Sequence, residues 1–165
     1  PTTDGAVPSG NAVAAENLAR LAVFRGDDVL HARAVACLRA SGRPLVTSPT
    51  SAPRMLGVLE ALLDRPREIV LVAPAAGDDD GAGLLRAVHA RYLPNRALVV
   101  TREGAPLAAI QRALPFVGEK AAIDGRTTAY VCERGRCLQP TSDPAELGRQ
   151  LDTVYPLADA RASSH

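Results

Sequence analysis

The chain has 165 residues, enough for one domain or one domain with an appendage, and can bury about 70% of its unfolded surface. Hydrophobic residues make up 47% and charged residues 22%, which excludes disordered, collagen-like and coiled-coil chains. Nineteen basic and 18 acidic residues leave a net charge of +1, and aromatics are 3%, so neither a basic stripe nor a stacking platform points to a nucleic-acid partner. All the basic residues but Lys120 are arginine, which reads as the coding bias of a GC-rich genome.

No apolar run approaches the ~20 residues of a membrane span, so no membrane partner is expected. The longest run, Ile69 to Ala76, is interrupted by Pro74. The opening Pro1-Thr2-Thr3-Asp4 has neither a basic nor an apolar leader segment and no initiator Met. The expectation is a cytoplasmic protein of which this chain is one piece.

Taken in order, the first third reads as three helices. Asn11 is placed to cap a helix through Phe24, with Ala14, Leu18 and Leu21 on one face. Gly26-Asp27-Asp28 makes a turn and a second cap. The next helix carries Leu30, Ala34, Cys37 and Leu38 inward and stops at Ser41-Gly42, with Pro44 beyond. Leu45 to Ser51 reads as loop. Pro53 opens a third helix, with Met55, Leu56, Leu59, Leu62 and Leu63 apolar.

The pattern changes at Pro66. Glu68 to Ala73 is a branched apolar run, which suits a strand buried on both faces. A helix follows, with Leu84, Val88 and Tyr92 on one face and Pro94-Asn95 as its end. Ala97 to Thr101 reads as a second buried strand, making a βαβ unit with parallel strands. A short helix is expected over 105–114. Thr127 to Cys132 and Cys137 to Gln139 form a hairpin around Glu133-Arg134-Gly135-Arg136. Asp143-Pro144-Ala145-Glu146 is a helix start, and Leu147, Leu151 and Val154 are that helix's buried face. The tail after Pro156 reads as frayed.

Three motifs invite a chemical reading. Gly81-Ala82-Gly83-Leu84-Leu85-Arg86 imitates a dinucleotide-binding loop, with Glu103 placed as a ribose acid. Arg86 replaces the third glycine, however, and Asp78, Asp79 and Asp80 repel a pyrophosphate, so an acidic helix start is the simpler reading. Cys132 and Cys137 flank a four-residue turn. Reduced thiols packing a hairpin come first, a cross-strand disulfide second, and a metal site last for want of further ligands. Asp4, Ser9 and Asn11 form a polar, glycine-rich approach to a helix start, which either caps the helix or offers oxygens and N–H groups to a hydroxyl-rich ligand. His31 and His89 have no partner in sequence and read as surface residues.

Three blocks then carry a family resemblance. They are Asp4 to Asn11 followed by Asn17-Leu18-Ala19-Arg20-Leu21; Tyr92-Leu93-Pro94-Asn95; and Thr128-Ala129-Tyr130-Val131-Cys132 through Cys137, Pro140 and Leu147. In this order they resemble the C-terminal region of the thioredoxin-domain-containing family related to spermatogenesis-associated protein 20. The resemblance implies a large cytosolic protein. It would comprise a thioredoxin-like domain, then an α/α toroid similar to sugar epimerases and six-hairpin glycosidases, then a small α/β domain. From the toroid, Asp4, Ser9 and Asn11 inherit the position of cavity-lining groups. Cys132 and Cys137 match the family's Tyr-Val-Cys and Cys-x-x-Pro element.

The expectation is therefore an α/β chain. Residues 1–65 end an α/α toroid, 66–156 form a small α/β domain with a βαβ unit, a hairpin and a terminal helix, and 157–165 are tail. The function expected is that of a C-terminal structural and interaction module with no activity of its own and no cofactor or metal. The alternatives are a share in a carbohydrate site through Asp4, Ser9 and Asn11, and thiol redox work at Cys132 and Cys137. Expected partners are the parent's toroid and thioredoxin-like domain, with self-association when they are missing.

Overall fold

A computed structural model describes residues 4, 6–133 and 135–153. Gly5, Arg134, Val154 and the tail from 157 lie outside the described residues, with the expectations placed on them. The fold is α/β: helices, then a small mixed sheet of four strands, then a C-terminal helix. The chain divides into two compact units, one of residues 1–66 and 111–118, the other of 67–110 and 119 onward.

The first unit is helical. Helix α1 spans Gly10–Arg25, α2 Asp28–Ala40, α3 Gly42–Thr47 and α4 Pro53–Leu63. Ser9, not Asn11, is the cap of α1: its hydroxyl accepts the Ala12 N–H at 3.2 Å. Gly26, at φ 58°, ends α1 in the left-handed region where glycine carries no Cβ penalty. Asp27 then caps α2 by accepting from Val29 and Leu30 N–H.

The buried face of α1 is also not the expected one. Ala12, Ala15, Ala19 and Ala22 are buried, while Ala14 is exposed and Leu21 is 50% exposed. Alanines recur along that face at helical spacing, and the small side chains allow neighbouring backbones close. α2 does turn Ala34 inward, with Cys37 and Leu38 packed against a core of Ala12, Ala15, Ala52, Met55 and Val58. The expected loop over 45–51 is largely helical: α3 runs to Thr47 and a 3-10 turn follows at Pro49–Ser51. Of the apolar residues of α4, Met55 and Val58 are buried and Leu63 is 60% exposed. Phe24 of α1 meets Phe116 of the returning segment with ring centres 6.0 Å apart, in a tilted pair.

The second unit holds the sheet. Its strands are β1 (Arg67–Ala73), β2 (Arg96–Arg102), β3 (Thr128–Glu133) and β4 (Arg136–Cys137), ordered β2-β1-β3-β4. β1 pairs parallel with β2, as a βαβ unit requires, and antiparallel with β3. It has a neighbour on each side, so its apolar run is buried from Ile69 to Ala73. β2 is an edge strand, not the second fully buried strand expected, and Val100 is 46% exposed.

One face of the sheet builds the core. Ile69, Leu71, Ala129 and Val131 from the strands pack with Leu84 and Val88 of α5 (Ala82–His89) and Leu147 and Leu151 of α7 (Pro144–Asp152). Tyr92 does not join them: α5 stops at His89, and Tyr92 is 91% exposed. The opposite face also has buried residues, Val70, Val72 and Thr128. Helix α6 (Ala105–Ala113) begins in this unit and runs into the other.

Both ends of α7 are tied down. Asp143 accepts the Ala145 N–H at 2.9 Å, with Pro144 as first residue. At the other end the Arg67 guanidinium donates to the Leu151 and Thr153 carbonyls, and Arg91 pairs with Asp152 at 2.7 Å. Cations there satisfy free carbonyls and oppose the helix dipole.

Candidate functional site

Asp4 and Ser9 form one backbone clamp, and Asn11 stands outside it. Helix α4 has no cap of its own, because Ala52 offers no side-chain acceptor. Asp4 supplies it from far along the chain: one carboxylate oxygen accepts the Arg54 N–H at 2.8 Å. The other oxygen accepts the Ser9 N–H at 2.7 Å, and the Asp4 N–H donates to the Ser51 carbonyl. Asn11 is exposed on the first turn of α1. The two backbone donors, from Ser9 first and Arg54 second, hold the Asp4 carboxyl below its usual range.

That lowering has a sign. The stabilisation is fully present above the ordinary carboxyl pKa and is lost as pH falls through the lower folded value. Asp4→Asn therefore lowers the melting temperature at neutral pH, and the gap to wild type closes in strong acid. Thermal melts across pH check this. A gap that stayed constant in acid would place the carboxylate's contribution elsewhere.

The glycine-rich start of α5 serves its own backbone. Asp79 accepts the Gly81 N–H at 3.1 Å and the Thr127 N–H at 2.7 Å, and Asp80 accepts the Ala82 N–H at 2.8 Å. These bonds hold the Asp79 carboxyl below its ordinary range, Thr127 contributing most. The aspartates thus occupy donors that a pyrophosphate would need. Glu103, the expected ribose acid, accepts the Ala122 N–H at 3.0 Å. The role of Thr127 was not legible in sequence, since nothing local marks a partner 48 residues away.

Cys132 and Cys137 are joined in a disulfide, not held as the reduced thiols expected first. The register explains it. The two residues are direct partners across β3 and β4, with Cα atoms 3.9 Å apart. On the neighbouring residues the Leu138 N–H donates to the Val131 carbonyl at 2.9 Å, so the cysteines occupy the closer, non-hydrogen-bonded kind of position. Cys132 is 2% exposed, whereas Cys137 lies on the exposed edge strand.

The surroundings of the disulfide are polar. Glu68 of β1 is the register partner of Cys132, and Val70 that of Tyr130. Glu68, Tyr130 and Cys132 therefore share one sheet face. The Lys120 ammonium lies 5.8 Å from the Tyr130 ring centre, and the Tyr130 hydroxyl donates to the Ala121 carbonyl at 2.8 Å. Burial raises the Glu68 carboxyl and lowers the Lys120 ammonium, and each is partly offset by the charge of the other. Among the described residues no group of three His, Cys, Asp or Glu is placed to hold a metal ion. His31 and His89 are exposed. No helix among the described residues is long and apolar enough to cross a membrane.

Comparison with known proteins finds curated relatives but no matching family model and no matching solved structure. The chain is 35% identical over 148 residues to human spermatogenesis-associated protein 20, a match covering 90% of this chain and 19% of that protein. The mouse and rat proteins of the same name are each 34% identical over 148 residues. The chain thus spans about a fifth of the length of the relatives it matches, and the match is to a fragment of a larger protein.

Proposed function

We propose that this chain is a structural and interaction module at the C-terminal end of a larger cytosolic protein, with no activity of its own. The carrying observation is the lopsided match: 90% of this chain against 19% of the human relative. The site geometry supports the reading. Asp4, Ser9, Asp79 and Asp80, the best-placed polar side chains, are engaged with backbone N–H groups. The partners we infer are the α/α toroid and the thioredoxin-like domain that the sequence resemblance implies for the longer protein.

Co-expressing the chain with the remainder of the longer protein tests this. The two pieces should purify together, and the remainder alone should melt at a lower temperature. A remainder that folds, melts unchanged and ignores this chain overturns the proposal.

The module reading carries a second expected result. Leu21, Val29, Val46 and Leu63 of the helical unit are 50%, 62%, 83% and 60% exposed. Without its covering neighbours the isolated chain should self-associate as concentration rises. Light scattering over a concentration series checks this, and a strict monomer throughout would count against it.

The carbohydrate reading needs Asp4, Ser9 and Asn11 to meet a ligand together. Of the three, Asn11 alone is exposed at the helix start, so it is the residue to test. Saccharide binding by the longer protein that falls on Asn11→Ala would restore this reading.

A further inference from the structure

We propose that the Cys132–Cys137 disulfide is an exchange site for thiols, attacked at the Cys137 sulfur, and that it opens and closes while the protein stays folded. This goes beyond the module reading and does not depend on it.

The two halves of the bond differ in access. Cys132 is 2% exposed in β3, and Cys137 sits on an exposed two-residue edge strand. An incoming thiolate therefore reaches the Cys137 side, and Cys132 is the leaving group. The attacking sulfur bonds to the Cys137 sulfur, the disulfide bond breaks, and the Cys132 sulfur leaves as a thiolate that takes a proton from water. A second thiolate attacks the mixed disulfide at its non-protein sulfur and releases Cys137. Two thiols are oxidised to one disulfide, and the protein bond is reduced to two thiols. The co-reactant is a low-molecular-weight thiol, with glutathione as the probe.

Closure is the reverse and is local. With Cα atoms 3.9 Å apart, the Cys132 thiolate competes with the second external thiol for the mixed disulfide. The charged groups on the same sheet face act on that thiolate in opposite senses: Lys120 favours it and Glu68 opposes it.

The segment after Cys137 does not rely on the bond for its place. Leu138 N–H donates to the Val131 carbonyl, and Ala129 and Thr141 exchange two backbone hydrogen bonds at 2.8 and 3.1 Å. The Gln150 side-chain amide of α7 donates to the Gln139 carbonyl at 2.8 Å. These contacts hold the segment from Leu138 to Thr141 against β3 and α7 after the sulfur bridge opens.

The test is a glutathione redox titration of the intact chain. Acid quenching, alkylation and peptide mass mapping separate Cys132 and Cys137 from Cys37, and circular dichroism is recorded at each point. Cys132 and Cys137 should pass together from disulfide to dithiol with the spectrum unchanged. Loss of the folded spectrum in step with reduction would make the bond a structural staple and overturn the proposal, as would a pair that never oxidises. Single variants test the direction of attack. Oxidised glutathione should modify Cys137 in Cys132→Ser about tenfold faster than Cys132 in Cys137→Ser. Equal rates in folded variants overturn the assigned polarity. If either variant fails to fold, the wild-type titration decides whether the bond exchanges, and the site of the mixed disulfide trapped early in wild-type reduction decides the direction.

Discussion

Truncating Leu71 to alanine is expected to lower unfolding free energy by about 3 to 5 kcal/mol, the range for a large core side chain whose cavity cannot collapse. Leu71 is fully buried at the middle of β1, the one strand with a parallel neighbour on one side and an antiparallel neighbour on the other. Its side chain belongs to the cluster that α5 and α7 cover. The backbone around the hole is held by two ladders, so relaxation is small. Urea unfolding should show a lower midpoint with an unchanged slope. Against a domain stability of about 5 to 15 kcal/mol, that is a large fraction of the total. A loss below about 1 kcal/mol would mean that Leu71 does not sit in a packed core.

Gly81→Ala is expected to cost about 3 kcal/mol, through two effects at one atom. Gly81 has φ 71°, in the left-handed region that L-residues enter at a cost. A methyl there would also meet the Thr127 methyl carbon at 2.6 Å. Thr127 is 2% exposed and cannot swing away freely, because its N–H and hydroxyl are both bonded to Asp79. The same change at Gly83, whose nearest new contact is Pro144 Cγ at 3.3 Å, should cost less. Paired thermal melts of the two variants check the ordering. Equal losses would show that neither the backbone conformation nor Thr127 sets the cost.

Signals written locally are readable in the sequence alone. Asp143-Pro144 announced α7, Gly26-Asp27 announced the α1–α2 turn, and the βαβ length announced parallel pairing of β1 with β2. Features set by distant neighbours were not. The inward face of α1 is its alanine face, because small side chains can be the better contact even where leucines are present. β2 has the composition of a buried strand, and its edge position follows from where β3 joins the sheet. Tyr92 continues the apolar period of α5, yet the helix ends before reaching it.

The candidate site divides in the same way. The hairpin around Cys132 and Cys137 was legible from two apolar runs flanking a polar turn, but spacing alone left their bond undecided. Register settles it, by placing the two directly opposite. The polar opening stands out in the sequence, with its purpose left open. Asp4 turns out to cap a helix fifty residues away, which no local pattern encodes.

The position of α7 has a consequence for biosynthesis. Ile69 and Leu71 reach their last core neighbour only when Leu151, about eighty residues later, has been made. At translation rates of about 5 to 20 residues per second, that leaves roughly 4 to 16 seconds during which a nascent Ile-Val-Leu-Val strand lacks the α7 part of its cover. The chain is thus most vulnerable on the ribosome, and chaperone capacity rather than equilibrium stability should set its yield in a cell.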